Sequence, residues 1–142
     1  MALDIGETDD FVLMEQDCEK QSQNFALVPI EDEPDTFNIY CQGKLLVVDT
    51  DDDENEWKKL QLVFPHQIRE NESLGHWKWL TIWDGYEIFA LINVGTDLAM
   101  DVFQGSTEVG VAVGAYPYHG GEPQQCKLKL ILDANFTTRN EF

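Results

Sequence analysis

An all-β domain with pseudo-threefold repetition is what this chain of 142 residues predicts. Its strand-like segments are short, rich in Val, Ile, Leu, Tyr and Phe, and bounded by Gly, Asp, Asn or Pro, as in FVLMEQ, TFNIY, LQLVFPH, YEIFALI and VAVGAYPY. No segment carries a helical period over a helical length. One order of segments also recurs three times along the chain, and repetition of that kind decides architecture.

The repeat is anchored by two sets of residues. ALDIG, VVDTD and AMDVF put Asp4, Asp49 and Asp101 in one role, spaced by 45 and 52 residues. NFALVPI, WKWLTIW and CKLKLIL put Phe25, Trp77 and Cys126 at the start of a later strand, spaced by 52 and 49 residues. The period is uneven but close to a third of the chain. The units run over about 1–33, 34–84 and 85–133, with a tail at 134–142.

The length fits one domain, and 43% apolar residues with 11% aromatics suffice for a core. No apolar run reaches 18 residues and MALDIGETDDF lacks the regions of a signal peptide, so neither membrane insertion nor classical secretion is expected. Cys18, Cys41 and Cys126 are odd in number and far apart, which argues against a disulfide framework and a zinc site and for reduced thiols in the cytoplasm. The sequons at Asn71 and Asn135 matter only in a secreted chain and are read as chance.

A net charge of −18 excludes nucleic acid as an expected partner, because phosphate backbones are repelled. The charge is uneven: residues 1–56 hold 17 of the 27 acids but two of the nine bases. A solvated acidic surface explains this, with a basic protein partner as the alternative. The run DTDDDENE, Asp49 to Glu56, fails as an EF-hand in both registers, since the required Gly and Glu are absent, and reads as an acidic hairpin loop. No nucleophile or metalloprotease motif is present and His66, His76 and His119 lie on separate loops, so no enzyme is expected and no cofactor is implied.

The third unit carries a family likeness. Asn93, Asp101, the turn QGST, the segment AYPYHGG and Gln124-Gln125-Cys126 follow one another in the order seen in the ricin-B-type β-trefoil lectins, and the chain resembles their small fungal, disulfide-free branch. Gln23-Asn24-Phe25 and Gly75-His76-Trp77 are similar to worn copies of the same Gln-x-Trp motif. The resemblance implies six strands closing a barrel with three hairpins capping one end. Each unit then needs four strands, but the first begins at its second strand, ALDIG. The strand from Phe136 to Phe142 is expected to fill the gap, as a circular permutation by one strand.

It also implies a sugar site in the third repeat. Asp101 matches the aspartate that accepts hydrogen bonds from sugar hydroxyls, Gly114 falls where a backbone or short polar contact lies, Tyr116 takes the aromatic position, and His119 and Gln124 flank it across Gly120-Gly121. Pro123 stands where the family has an Asn donor. Repeats one and two are expected to bind sugar poorly: repeat one has Asp4 but no aromatic partner in MEQDCEKQ, and repeat two keeps Asp49 with Phe64 at the aromatic position but replaces the His-Gly-Gly turn with the longer polar loop HQIRENESLGH. The expected ligand is a mono- or oligosaccharide, free or on a glycoprotein. The alternative is a trefoil interaction module, a protease inhibitor or a lectin-like subunit that binds no sugar. Purely structural roles remain for Asp101, as a turn pin, and for one of Tyr116 and Tyr118, packed under the cap.

Overall fold

In the computed structural model the described residues are 1–6, 10–17, 19–51, 55–83, 88–130 and 138–141, with 83, 128–130 and 138–141 described in backbone only. Cys18, Phe136 and Phe142 lie outside them. Twelve short strands and five single turns of 3-10 helix make up the regular structure, and no α-helix occurs among the described residues.

The strands are β1 (Ala2–Ile5), β2 (Phe11–Met14), β3 (Ala26–Pro29), β4 (Thr36–Cys41), β5 (Lys44–Val48) and β6 (Lys58–Val63). They continue as β7 (Trp77–Trp83), β8 (Ile88–Asn93), β9 (Leu98–Val102), β10 (Val113–Pro117), β11 (Lys127–Leu130) and β12 (Thr138–Glu141). In β4 the alternation is clean: Phe37, Ile39 and Cys41 are buried and the residues between them are half-exposed. The β4–β5 turn shows how locally this is fixed. Gln42 and Gly43 both have positive φ, 52° and 80°, and Cys41 pairs with Lys44, the geometry of a two-residue hairpin matched to strand twist.

Pairing groups the strands into three equivalent sets of four. β4 to β7, β8 to β11, and β12 followed by β1, β2 and β3 each supply a first, second, third and fourth strand. First and fourth strands build the barrel, through the pairs β3–β4, β4–β7, β7–β8 and β11–β12 and a bridge between Phe89 and Cys126. Second and third strands form the hairpins β1–β2, β5–β6 and β9–β10, which meet at one end through the β6–β10 pairing and the Val12–Ala112 bridge.

The expected gap is filled from the far end of the chain. β12 pairs with β11 from Lys127–Glu141 to Leu130–Thr138 and with β1 through Ala2–Glu141, so the tail supplies the first strand of repeat one. Phe25, Trp77 and Cys126 occupy the three equivalent core places, at 0%, 0% and 2% exposure. Trp77 donates its indole N–H to the carbonyl of Leu46 at 3.0 Å, which lets a polar atom be buried without penalty. Burial pushes the Cys41 thiol up to about 11, with the Asp4 charge adding, and burial alone pushes the Cys126 thiol up further. Both are unreactive packing groups.

Candidate functional site

Asp101 lies near the end of β9, on the face opposite core residues Met100 and Val102, and Gly114 of β10 pairs directly with it. Alternation then places Tyr116 on that same outer face. Three of the expected site residues are thereby gathered by one antiparallel pair. His119 follows the end of β10, and its Nε2 comes within 3.5 Å of Asp101 Oδ2. The Gly121 amide donates to His119 Nδ1 at 3.0 Å, which sets the neutral tautomer with hydrogen on Nε2, facing the carboxylate.

Gln124 sits behind the site and is fully buried. Its Nε2 donates to Asp101 Oδ2 at 2.9 Å and to the Pro117 carbonyl at 3.0 Å, while its Oε1 accepts from the His119 and Gly120 amides at 2.8 and 3.1 Å. With its amide spent in this way, Gln124 holds Asp101 and the His119 turn in place. Oδ1 of Asp101 accepts no side-chain or loop hydrogen bond from the described residues. Burial, with 7% of the side chain exposed, raises its pKa, and the hydrogen bond from Gln124 and the proximity of His119 offset this only in part.

Gly114, where a backbone or short polar contact was expected, lies under a neighbouring ring. It is buried, and a Cβ there would stand 2.6 Å from the Trp57 indole and 2.5 Å from the Lys58 carbonyl. Only glycine lets the indole lie over β10 beside Asp101. Trp57 meets Phe103, which is 40% exposed, edge to face at 5.2 Å, and its neighbour Glu56 accepts the Tyr116 hydroxyl at 3.2 Å, which raises the tyrosine's pKa. The third-repeat site is therefore walled by a segment of repeat two. Trp57 and Phe103 were not expected here. The signal available in the sequence was a glycine inside a strand, but its partner, from outside the third repeat, follows only from the β6–β10 pairing.

The equivalent places in the other repeats are closed in different ways. In repeat one Asp4 Oδ1 accepts the Ile5 amide at 2.7 Å, and Oδ2 accepts Lys20 at 2.7 Å and Gln23 at 3.0 Å. Burial would raise Asp4, but the hydrogen bonds from Lys20, Ser22, Gln23 and the Ile5 amide together hold it below its ordinary value. In repeat two Gly75 stands at the glutamine place and the space is taken by Leu45, packed with Val47, Val63, Ile68 and Leu74. Asp49 there accepts the Asp51 amide at 2.9 Å, the pattern of a turn pin.

No protein-family model matches the chain, and no curated protein matches it in sequence. Solved structures do. The designed threefold-symmetric protein ThreeFoil superposes with a TM-score of 0.71 at 18% identity, over 99% of this chain and 89% of the other. The BEL β-trefoil superposes with a TM-score of 0.57 at 8% identity, over 99% and 90%. This chain is a β-trefoil. The exo-β-1,3-galactanase 1,3Gal43A of Clostridium thermocellum also matches, with a TM-score of 0.72 at 21% identity, over 91% of this chain but only 27% of that enzyme. Likeness at these identities establishes the fold and not an activity.

Proposed function

We propose that this trefoil is a lectin-like carbohydrate-binding protein of the ricin-B type with one site, in the third repeat, and that it binds its ligand without transforming it. The observation that carries this reading is the spare Oδ1 of Asp101, a carboxylate oxygen with no side-chain or loop donor among the described residues at the edge of an aromatic cluster. A carboxylate accepts hydrogen bonds from adjacent sugar hydroxyls, and an aromatic ring covers the apolar face of a pyranose. Tyr116 and Trp57 are the rings within reach, and His119 is the exposed polar group that fixes orientation. Gln124 is a positioning residue. The sugar is a mono- or oligosaccharide, free or displayed on a glycoprotein.

A glycan array identifies the ligand, and calorimetry on folded variants then tests the site. A charge-assisted hydrogen bond contributes about 1.5–3 kcal/mol, and millimolar binding totals only about 4 kcal/mol. Asp101→Ala should therefore abolish measurable binding, whereas Asp4→Ala and Asp49→Ala, if folded, should leave affinity unchanged. Equal losses in all three, or none in Asp101→Ala, would reject the assignment.

A further inference from the structure

A groove lies at the barrel end away from the hairpin cap. Leu27, Phe37 and Trp79 form the apolar floor of an open groove of about 590 Å³, and Asp32, Glu33 and Asp35 of the β3–β4 turn line it. Trp79 is 42% exposed although it packs on Phe37 at 4.7 Å and on Phe89 at 5.4 Å. A large ring left this open, with two further rings fixing its plane, is an exposed anchor point and not a core residue. Glu33 is engaged by His76 at 3.2 Å, but Asp32 and Asp35 have no ion-pair partner among the described residues. Lys78 is the nearest base in sequence, and strand alternation points it to the face opposite Trp79.

We propose that this groove docks a basic peptide segment of a partner protein, with an Arg or Lys side chain laid over Trp79 between Asp32 and Asp35 and its apolar neighbours covering Leu27 and Phe37. An aromatic face and unpaired carboxylates attract the same thing, a cation. The chain's net charge of −18 adds long-range attraction for a basic segment and repels nucleic acid and anionic lipid. The groove is separate from the Asp101 site, and the inference does not depend on sugar binding.

The test is calorimetric titration of the full chain with the capped peptide Gly-Leu-Arg-Leu-Arg-Gly and with its counterpart carrying Glu in place of Arg. The arginine peptide should bind, less tightly as salt is raised, and the glutamate peptide should not. Asp32 and Asp35 have φ of 66° and 62°, a region Asn tolerates, so the double variant Asp32→Asn/Asp35→Asn should stay folded. It should lose about tenfold in affinity, and Trp79→Leu about two- to fivefold. Glu70→Gln/Glu108→Gln removes the same charge from exposed positions outside the groove and should lose much less. An equal loss in that pair would reduce the effect to net charge and overturn the proposal. So would groove variants that bind like the parent, or a parent that binds neither peptide.

Discussion

Asp4 and Asp101 lie at equivalent places in second strands, and each accepts a hydrogen bond from a buried glutamine, yet their ionisation moves in opposite directions. Both are desolvated. Asp4 has four named donors around it, among them the Lys20 ammonium at 2.7 Å, and ends below its ordinary value. Asp101 has Gln124 and a histidine at 3.5 Å, and ends above it. One carboxylate is finished as structure, while the other keeps an oxygen that no side-chain or loop donor among the described residues satisfies. Repeat copies that share backbone and core thus diverge by how completely a single acid is capped. A carboxylate left without donors costs stability, whereas a fully capped one contributes to it.

The largest test removes the strand that completes repeat one. A chain ending at Asp133 lacks β12, leaving β1 and β11 with an open edge, and should lose several kcal/mol of the ~5–15 that hold a domain together. Thermal melting and light scattering should show an earlier transition or self-association. An unchanged melt would mean that β12 contributes nothing to the barrel and that the two repeats differ in strand number as well as in chemistry.

Gln23→Ala and Gln124→Ala come next. Each strips a buried carboxylate and part-buried backbone groups of their partner, at about 1–3 kcal/mol per buried group left unpaired. Urea titrations should show losses of about 2–4 kcal/mol for both. A loss confined to Gln23 would break the claim that the two networks are equivalent.

Asn substitutions at the aspartates should then differ in sign. Asp4 is depressed, so its stabilisation is present above its unfolded value near 3.8 and is lost as pH falls through the lower folded value. Asp101 is raised, so its favourable contribution is present below 3.8 and is lost as pH rises through the higher folded value. At pH 7 Asp4→Asn should cost about 1–3 kcal/mol, while Asp101→Asn should be neutral or slightly stabilising. Chemical denaturation at pH 3 to 7 should show the Asp4 gap narrowing as pH falls. Two losses of equal size at pH 7 would contradict the opposite shifts.

The smallest expected effect is at Tyr116. Tyr116→Phe deletes one exposed hydrogen bond of 3.2 Å to Glu56 and should change stability by less than about 0.5 kcal/mol. If the ring is what meets the sugar, affinity should also survive, as calorimetry would show. A large loss of binding would instead make the hydroxyl the recognising group.

Fold and topology were legible because repetition displays the same signals three times. Phe25, Trp77 and Cys126 differ in size and chemistry, yet their spacing marked one core place, and the spacing after CKLKLIL located the returning strand. The site was legible only in part. Asp101, Tyr116 and His119 could be aligned to a motif, but whether Gln124 faces a ligand or the interior depends on four hydrogen bonds that a sequence does not display. Trp57 was hidden more deeply. It belongs to another repeat, and nothing local in ENEWKKL says that its ring crosses to Gly114. Lys20 was equally silent as the group that caps Asp4 in repeat one.

The meeting of Ala2 with Glu141 also sets a timetable. Most of the barrel strands neighbour each other within a few dozen residues, and hairpins of that kind form in microseconds. The β1–β12 contact spans nearly the whole chain, and such closures are slow because loop entropy is lost before any pairing repays it. On the ribosome, repeats two and three can assemble while β1 to β3 wait without their first strand, because β12 emerges after the other eleven. The barrel therefore closes only once β12 has emerged, and until then repeat one presents an open strand edge.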